Sequence, residues 1–586
     1  MTIDHGEVKE SAVERIKRES NLLRGSIEDE LATSAETFTG DTAQLLKFHG
    51  VYLQDNRDVR SARKREGLDL EHLVMVRVAI PGGKLTADQY RSLDQLSDKF
   101  GNSTLRLTTR QGIQFHFATK SIMRELISEI NETLLTTWGG CGDVVRNVVA
   151  CTNAGNSVLQ GELDRLADLI STSYKAPADS YWQIWIDGDR VPQAIVDAPS
   201  VDESIYGSTM LPRKFKIGLT TTRDNCIDAL SHDIAVVIDY SDPSLLHIFA
   251  GGGMGRSGTD PSTYARAATH LGAVGEGDLK VTLDAILSIQ RDHGDRKDRA
   301  HARLKYTVDR LGIDRFEAMI IERSGRPLKK IDFPGFQIDG DHLGVEEAPR
   351  PGRYNLGYKL PSGRISNSGA VANQRAKIVQ AIDQSSCEVR VTAKGDLVFT
   401  ELTEVDLAKI ASLLGDSRSI EQSKTKRHIP LTTKELSFAC VALPTCGLAL
   451  AESERYLPSF VDELQSRLID LGAPEASIEV RITGCPNGCA RPYLGELGIV
   501  GRSKKSYDIF IGADRRGMRL SEQFAVDVPS NELIDAITPL LKLWIEAGVE
   551  DSNFGDFVAS LSKEAVTSLA PAPRRRRQLS VQGEEN

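Results

Sequence analysis

The sequence is poor in cysteine, has no long apolar run and carries no surplus of positive charge. Its 586 residues include 8 cysteines, which is too few for a disulfide-stabilised scaffold. No stretch of about 18 apolar residues occurs, and the N-terminal segment is polar and charged, so we expect neither a membrane span nor a signal peptide. The net charge of -10 argues against a broad nucleic-acid-binding surface. These absences predict a cytoplasmic protein that binds neither membranes nor nucleic acid.

Several catalytic motifs are also missing. The sequence contains no Cys-x-x-Cys-His for covalent haem attachment, no Gly-x-Ser-x-Gly and no His-Glu-x-x-His. Hydrolase mechanisms therefore have no support. A hydrophobic share of 40% and a charged share of 26% are typical of a globular protein with more than one core, and the length predicts about four domain-sized units.

An internal repeat is the main organisational feature of the chain. The segment PGGK at 81–84 recurs as PSGR at 361–364, and LRLTTRQ at 105–111 recurs as VRVTAKG at 389–395. A strand, a helix-length segment and a second strand therefore occur twice, which indicates a duplicated unit. We predict an α+β fold with two related halves, each followed by a larger lobe, that enclose one ligand at a pseudo-twofold interface.

Three other segments bear on this organisation. A fainter similarity relates Cys-Thr-Asn at 151–153 to Cys-Pro-Asn at 485–487, so we expect the two to occupy equivalent positions. The stretch at 336–352 is rich in glycine, proline and acidic residues and is the predicted boundary between halves. The C-terminal segment with four arginines at 574–577 has the composition of a disordered, solvated tail, with partner or nucleic-acid contact as the alternative.

Four of the cysteines form two close pairs. Five residues separate Cys440 from Cys446, and after a further 38 residues Cys485 and Cys489 flank the sequence Pro-Asn-Gly. Four thiolates can hold either zinc or a 4Fe-4S cluster. Structural zinc sites favour two to four residues between paired ligands, so the spacing favours the cluster. Zinc and unligated cysteines stay as alternatives.

Polar and cationic side chains share faces of predicted strands. In LRLTTRQGIQFHF at 105–117, alternation places Leu105, Leu107, Ile113, Phe115 and Phe117 on a core face. The opposite face then carries Arg106, Thr108, Arg110, Gln114 and His116.

Further cations follow the same pattern. Arg77 lies opposite an apolar face, and Lys214 and Lys216 share a face of another predicted strand. A solvated sheet edge is the ordinary interpretation of two neighbouring lysines. In an acidic chain that also offers Arg146, however, such clustering predicts a site for a small anion.

A glycine-rich segment invites a different interpretation. Gly253-Met-Gly255-Arg-Ser-Gly258 has the dinucleotide pattern G-x-G-x-x-G between an apolar run and a predicted helix. The acidic residues about 20 positions later lie in a loop-like segment, so the usual ribose contact is missing. We favour a glycine loop that lets backbone approach another flat or anionic ligand.

Several of these segments resemble one family. CGDVVRNVVACTN, LPRKFKIG and TGCPNGCARPYLGELGIVG are similar to the siroheme-dependent sulfite and nitrite reductases, and the resemblance runs from about residue 13 to about residue 560. Gly447 stands where the family usually has proline, and Ala79 where an arginine is common. Neither departure affects a cysteine of the two pairs.

The resemblance implies a role for each candidate residue. It implies a 4Fe-4S cluster on Cys440, Cys446, Cys485 and Cys489, with the Cys489 thiolate also the axial ligand of the siroheme iron. Substrate would be surrounded by Arg77, Arg146, Lys214 and Lys216. The siroheme carboxylates would be contacted by Arg106, Thr108, Arg110, Gln114, His116, Arg213 and Asn487.

The resemblance also implies an architecture. Two ferredoxin-like half-domains related by pseudo-twofold symmetry and two larger α/β lobes would enclose siroheme and the cluster. The predicted divisions are a wrapping arm (1–66), a ferredoxin-like half (67–130), a siroheme and substrate lobe (131–335), a second half (345–420), a cluster and siroheme lobe (421–560) and the basic tail (561–586).

The implied activity is the six-electron reduction of sulfite to sulfide. Reduction of nitrite to ammonia is the alternative within the family, and a non-catalytic iron–sulfur or zinc protein that binds a partner is the alternative outside it. The chain has no flavodoxin-like module, so an external electron donor is expected. The closest resemblance, to the assimilatory sulfite reductases, implies an NADPH-dependent flavoprotein, and ferredoxin remains open.

Overall fold

The computed structural model describes residues 10–177, 185–186, 189–190, 205–258, 260–338, 340–369, 371–550 and 552–572. The predicted tail with its four arginines at 574–577 lies outside the described residues, as do the first nine residues of the arm. The predicted α+β class is confirmed, with helices and five sheets in the described chain.

The helices are α1 (Ala12–Glu19), α2 (Ile27–Leu31), α3 (Gly40–Leu46), α4 (Arg60–Arg65), α5 (Ala87–Phe100), α6 (Lys120–Glu132), α7 (Ser157–Ser173), α8 (Glu276–His293), α9 (Leu304–Leu311), α10 (Ile313–Ser324), α11 (Gln374–Ser385), α12 (Glu404–Leu414), α13 (Ser417–Thr425), α14 (Thr433–Leu436), α15 (Leu457–Asp470), α16 (Leu533–Ala547), α17 (Phe554–Ser560) and α18 (Lys563–Leu569).

The strands are β1 (Val51–Asp55), β2 (His72–Val78), β3 (Lys84–Leu85), β4 (Leu105–Leu107), β5 (Ile113–Ala118), β6 (Val149–Ala150), β7 (Trp185–Ile186), β8 (Asp189–Arg190), β9 (Ile217–Thr221), β10 (Ile234–Ile238), β11 (Leu246–Ala250), β12 (Thr269–Val274), β13 (Gly344–Glu347), β14 (Tyr354–Tyr358), β15 (Arg364–Ile365), β16 (Val389–Val391), β17 (Leu397–Leu402), β18 (Phe438–Ala439), β19 (Val480–Thr483), β20 (Leu497–Ser503), β21 (Ser506–Ile511) and β22 (Glu522–Pro529).

The two repeated units exchange short strands. The first sheet has the order β1-β2-β5-β4-β15 and the second β13-β14-β17-β16-β3, so each ends on a two-residue strand from the other unit. Arg364 pairs with Arg106 in one sheet and Lys84 pairs with Arg390 in the other. The sequence repeat predicts two similar units, and the structure joins them through their sheet edges.

A glycine precedes each exchanged strand. Gly83 and Gly363 both have a positive φ, 70° and 80° respectively. A side chain at Gly83 would lie 2.4 Å from the Val391 carbonyl oxygen, and one at Gly363 would lie 2.5 Å from the Leu107 carbonyl oxygen. The repeated glycine is therefore required by both its backbone conformation and the close approach of the other unit.

One apolar core lies beneath both of these sheets. Val76 and Phe115 from the first unit belong to the same buried cluster as Leu356 and Phe399 from the second. The predicted halves thus share a core as well as strands.

The polar segment at 105–117 forms two strands rather than one continuous strand. β4 and β5 are antiparallel, with Arg106 opposite Gln114, and a tight turn joins them in which Gln111 has a φ of 54°. Four of the predicted apolar residues are buried, but Phe117 is wrong as a core residue, because its φ of 62° interrupts the alternation and leaves it only half-buried. The turn is what lets Arg110 leave the sheet surface.

The two larger lobes repeat each other in topology. One sheet has the order β12-β11-β10-β9-β6 and the other β22-β21-β20-β19-β18, each with three parallel strands followed by two antiparallel ones. Helix α7 connects β6 to β9 as α15 connects β18 to β19. The lobes are therefore duplicated together with the ferredoxin-like units.

This topology corrects the predicted match of 151–153 with 485–487. Cys151 follows β6, whose counterpart is β18, so its topological equivalent is Cys440. The segment that follows β9 and contains Cys226 is the equivalent of the segment that holds Cys485. The prediction was wrong because the shared Cys-x-Asn pattern is too short to fix the alignment of two lobes.

The N-terminal segment packs along both lobes. Lys17 of α1 is buried and donates to the Leu211 carbonyl at 2.9 Å. Farther on, Arg57 donates to the carbonyls of Cys446 at 3.1 Å and Ala449 at 2.6 Å. The segment therefore contacts the first lobe and the cysteine-bearing loop of the second.

Candidate active site

The four paired cysteines lie at one edge of the second lobe. Cys440 directly follows β18 and Cys485 lies two residues beyond β19, and these are adjacent parallel strands. The Gly484 backbone amide donates to Cys440 Sγ at 3.3 Å, and the side-chain Nδ2 of Asn487 lies 3.6 Å from Cys485 Sγ. The carboxyl ends of parallel strands meet at one edge, which is where open sheets bind ligands.

The charge and spacing of these thiols fit an iron–sulfur cluster. Burial first and then the neighbouring Cys489 raise the pKa of Cys446 to about 11 and that of Cys485 to about 12. Thiols that oppose each other's ionisation need a bound cation to become thiolates together.

Spacing separates the cluster from zinc. Among the described residues, no three of these four sulfur atoms lie within 4.8 Å of one another. A single tetrahedral zinc ion would hold its thiolates about 3.8 Å apart, so the wider arrangement favours the cluster.

Cys489 differs from the other three because its side chain is exposed. Its sulfur is close enough to Lys214 that a thiolate there would oppose part of the lowering of the Lys214 pKa. Its carbonyl oxygen accepts a hydrogen bond from Thr109 Oγ1 at 3.1 Å. The free sulfur thus faces a recess that cationic side chains line, and Thr109 is a neighbour that the sequence did not predict.

The glycine-rich segment supports the cysteine turn. A side chain at Gly255 would lie 3.1 Å from the Asn487 carbonyl oxygen, and the Arg256 amide donates to the Pro486 carbonyl at 2.8 Å. The next regular element is β12, so the predicted helix directly after Gly258 is wrong. This loop approaches the turn between Cys485 and Cys489 by its backbone and lacks the strand–turn–helix geometry of a dinucleotide site.

The four predicted substrate residues come together on three neighbouring segments. Residues around Val145 and Phe215 run side by side, with the Arg146 amide donating to the Phe215 carbonyl at 2.9 Å. Lys214 and Lys216 lie on either side of Phe215 in the second segment. Arg77 of β2, on the third segment, donates to Cys141 Sγ at 3.0 Å. Arg77, Arg146 and Lys214 all act on the ionisation of Cys141, which places them around one space.

Both lysines are poorly stabilised as cations in this space. Burial, followed by Arg213 and Arg146, lowers the pKa of Lys214 to about 7. Burial, followed by Arg303 and Lys214, lowers the pKa of Lys216 well below its usual value. An anion between them would stabilise their charged forms, so the recess favours a negatively charged ligand.

Cys141 and Tyr52 are site residues that sequence patterns did not reveal. The Tyr52 hydroxyl lies 2.6 Å from Cys141 Sγ. Although burial opposes ionisation, Arg146 and Arg77 bring the pKa of Cys141 down to about 7. An alternating strand pattern shows which face Arg77 occupies, but it does not identify the thiol that receives its hydrogen bond.

A buried ion pair lies behind Lys216. Arg303 Nη2 contacts both carboxylate oxygens of Asp233 at 2.7 Å, and Asp233 Oδ2 accepts from the Lys216 amide at 2.9 Å. The arginine and the aspartate lie 70 positions apart in the sequence, so no local motif predicts the pair. It fixes the backbone from which Lys216 projects.

Several buried polar groups near this recess lack a partner in the described chain, and the nitrogen atoms among them fit an anionic cofactor. They are Arg110 Nε, His116 Nδ1, Asn147 Oδ1, and Nε and Nη1 of Arg303. Burial and Arg146 lower the pKa of Arg110 to about 9, and burial lowers that of His116 well below its usual value. Carboxylates of a bound ring would pair with the arginines and relieve their mutual repulsion.

The other residues predicted to contact siroheme differ in how many hydrogen bonds and ion pairs they already form within the protein. Arg106 binds Glu454 at 3.0 Å and the Ala439 carbonyl at 2.9 Å. Thr108 Oγ1 accepts from the Gly112 amide at 3.1 Å, and Arg213 lies 4.0 Å from Asp143. The Gln114 carboxamide oxygen can accept from Arg77 at 2.6 Å. Their contacts with siroheme stay predictions.

Comparison with known proteins shows the family of this chain. The family described as "Nitrite/Sulfite reductase ferredoxin-like half domain" matches residues 65–133, and "Nitrite and sulphite reductase 4Fe-4S domain" matches residues 167–328. The chain is 36% identical to the sulfite reductase (NADPH) hemoprotein beta-component of Acidithiobacillus ferrooxidans over 94% of this chain and 95% of that protein. The chain belongs to the nitrite and sulfite reductase family.

Other relatives extend this similarity. The protein of the same name from Staphylococcus carnosus is 36% identical over 93% of this chain and 95% of its own length. The solved structure of NirA from Mycobacterium tuberculosis shares the fold, with a TM-score of 0.73 and 22% identity over 95% of this chain and 97% of that one. None of the described helices of the present chain is both long and apolar enough to span a membrane.

Proposed function

We propose that this chain is the hemoprotein component of a sulfite reductase and converts sulfite to sulfide by six-electron reduction. The names of the full-length relatives support the activity. The observation that carries the proposal is the exposed Cys489 thiol beside a recess lined by Lys214, Lys216 and Arg146. That arrangement joins an electron-transfer ligand to an anion-binding pocket.

The chain's own residues divide between two cofactors. Cys440, Cys446, Cys485 and Cys489 would hold the 4Fe-4S cluster, and the exposed Cys489 is the member that can also contact siroheme. Arg110, His116 and Arg303 offer unpaired buried nitrogens toward the ring substituents. When bound, siroheme supplies an iron that takes sulfite through sulfur, and the cluster supplies single electrons.

The cations act on the oxygens of the substrate. Arg77 and Arg146 balance its negative charge, and Lys214 and Lys216 hold protons close to it. Sulfite takes up six electrons and seven protons to give hydrosulfide and three waters, so proton delivery matters as much as charge. Lysine suits that role because its pKa is lowered here, whereas arginine stays protonated near neutral pH.

The electron donor in this proposal is an NADPH-dependent flavoprotein. The relatives are named as beta-components of NADPH enzymes, which supports a separate partner subunit. An acidic ferredoxin is the less suitable donor, because the chain itself has a net charge of -10. The cytoplasmic location expected from the sequence belongs to the same proposal.

The visible absorption spectrum and the reaction products test the function. We expect siroheme bands in the purified holoenzyme and, with a chemical reductant, a higher kcat/KM for sulfide release from sulfite than for ammonia release from nitrite. If the siroheme bands are present but kcat/KM is higher for nitrite, the protein would instead be assigned as a nitrite reductase. A protein that stays colourless when siroheme and iron are supplied would overturn the catalytic account.

The donor requires a separate measurement. Sulfide release driven by NADPH should appear when a flavoprotein reductase is added, with ferredoxin and its reductase as the comparison. Faster turnover with ferredoxin would reject the flavoprotein and leave the sulfite chemistry unaffected.

A further inference from the structure

A second group of potential metal ligands lies in the first lobe, separate from the four paired cysteines. Cys151, Asp224, Cys226 and His342 each offer one ligand atom, and these four atoms all lie within 4.8 Å of one another. The residues are 0%, 0%, 6% and 3% exposed, so the group is closed to solvent. Two thiols, a carboxylate and an imidazole are a ligand set typical of zinc.

Three of the six distances among these atoms match the edges of a tetrahedron around one ion, and the other three, to Cys226 Sγ, are within 4.8 Å. Cys151 Sγ lies 3.4 Å from His342 Nε2 and 3.5 Å from Asp224 Oδ1, and His342 Nε2 lies 3.6 Å from Asp224 Oδ1. Zinc with bonds of about 2.0 to 2.3 Å would hold such atoms about 3.4 to 3.8 Å apart. The ligand atoms therefore need little movement to bind one ion.

The surrounding hydrogen bonds orient the ligands. His342 Nδ1 lies 2.9 Å from Glu346 Oε2, and the side-chain Nδ2 of Asn153 donates to the same oxygen at 2.7 Å. A carboxylate on one ring nitrogen of a histidine fixes the tautomer that leaves the other nitrogen free for a metal. The Cys226 amide donates to Asp224 Oδ1 at 3.2 Å and holds that carboxylate in place.

The backbone at His342 is also unusual. Its φ is 56°, a left-handed value that a residue with a side chain rarely adopts. This conformation occurs in the connector between the two duplicated parts of the chain. Strained backbone of this kind persists where surrounding interactions hold it, and the ligand cluster supplies such interactions.

The position in the fold corresponds to that of the four paired cysteines. Cys151 follows β6 as Cys440 follows β18, and the segment with Asp224 and Cys226 follows β9 as Cys485 follows β19. The family described as a 4Fe-4S domain matches residues 167–328, which lie in this first lobe. Each of the two duplicated lobes therefore carries a set of ligand side chains at the equivalent edge of its sheet.

We propose that Cys151, Asp224, Cys226 and His342 bind one structural zinc ion. The site is closed, with four protein ligands, so it would hold the ion without an open position for substrate. It would tie the connector at His342 to the loops after β6 and β9. The ion would stabilise the fold of this chain, and its binding does not depend on the proposed sulfite chemistry.

Metal analysis of the holoenzyme tests the proposal. We expect about one zinc per chain in addition to the iron, retained after gel filtration with a chelator. The zinc-edge X-ray absorption spectrum should show two sulfur neighbours at about 2.3 Å and two nitrogen or oxygen neighbours at about 2.0 Å. The iron content and siroheme bands of the same sample report separately on the proposed function.

Variants locate the ion. The double variant Cys151→Ser with Cys226→Ser should lose the zinc while keeping iron and siroheme. In contrast, Cys387→Ser, which changes a buried cysteine in the loop between α11 and β16, should keep all three. Glu346→Gln should weaken zinc binding about 10- to 100-fold, because it removes the carboxylate that orients His342.

Three results would overturn the assignment. They are no zinc in the wild-type protein even after anaerobic addition of zinc salt, a zinc spectrum with four sulfur neighbours, and a disulfide between Cys151 and Cys226 found by mass spectrometry. Should the double variant fail to fold, the wild-type spectrum and the Glu346→Gln titration still decide the question.

Discussion

At the scale of single residues, Lys214 is the proposed substrate contact whose charge changes near neutral pH. Its pKa lies near 7, so the side chain carries its proton below neutrality and loses it above. We expect kcat/KM for sulfite to fall as the pH rises past about 7. Lys214→Arg should shift this fall to higher pH, because arginine keeps its charge.

A pH series on both sides of neutrality, with a chemical reductant as donor, measures the effect. Sulfite also titrates in this range, but that contribution is common to both proteins and cancels in the comparison. Profiles that superimpose would show that Lys214 does not supply the titrating group.

Lys216 should act as a proton donor rather than as a structural residue. We expect Lys216→Ala to lower turnover about 10²- to 10⁴-fold while the siroheme bands stay unchanged, because a general acid is removed without altering the cysteine ligands. Steady-state rates and the absorption spectrum check this. Lys409→Ala, on the exposed side of α12, is the control and should match the wild type. Loss of the siroheme bands in Lys216→Ala would instead assign the residue a structural role.

The sequence predicts candidate residues in extended segments better than it predicts their partners. Strand alternation and clustered charge single out Arg77 on β2, and Lys214 and Lys216 directly before β9, because buried apolar residues alternate with them. The same patterns miss Tyr52 and Cys141, since that contact joins residues 89 positions apart. Long-range pairs are set by packing of the folded chain, which periodicity does not encode.

At the scale of secondary structure elements, the exchanged strands β3 and β15 depend on two glycines. We expect Gly83→Ala and Gly363→Ala each to lower the thermal unfolding midpoint of the holoenzyme, because the new methyl group would meet a carbonyl oxygen at 2.4 or 2.5 Å in a left-handed conformation. The control is Gly161→Ala within α7, where no atom lies within 4 Å and alanine favours helix. Equal midpoints for all three variants would contradict the interpretation.

Elements with strong periodicity are predictable, and short ones are not. The repeat at 81–84 and 361–364 predicts two equivalent units and their first strands. It does not predict that each turn continues into a two-residue strand of the other unit, since so short a strand has no alternation to detect. Similarly, the bend at Phe117 depends on a local backbone angle that side-chain polarity does not reveal.

At the scale of the whole molecule, Asp228 joins the two lobes. It binds Arg481 at 2.6 Å and also pairs with Arg491, and all three side chains are buried. We expect Asp228→Ala to destabilise the fold by about 3 to 5 kcal/mol, because Arg491 would lose the carboxylate it pairs with and Arg481 would keep only Glu479. Denaturant unfolding, followed by siroheme absorbance and by circular dichroism, measures the change.

Asp556→Ala is the matched control, because Asp556 pairs with Arg519 on the surface and should contribute less than about 1 kcal/mol. A similar shift in both variants would indicate that the buried position of Asp228 is not the cause of its effect.

The exchange of β3 and β15 also has a consequence for synthesis on the ribosome. The edge of β4 has no partner until Arg364 has been made, roughly 260 residues after Arg106. At 5 to 20 residues per second this interval lasts on the order of ten to fifty seconds. During that time the nascent chain exposes an open sheet edge, which is a template for wrong pairing with another chain. The architecture that joins the two units in the finished enzyme therefore leaves the first unit with an unpaired sheet edge until residue 364 has been translated.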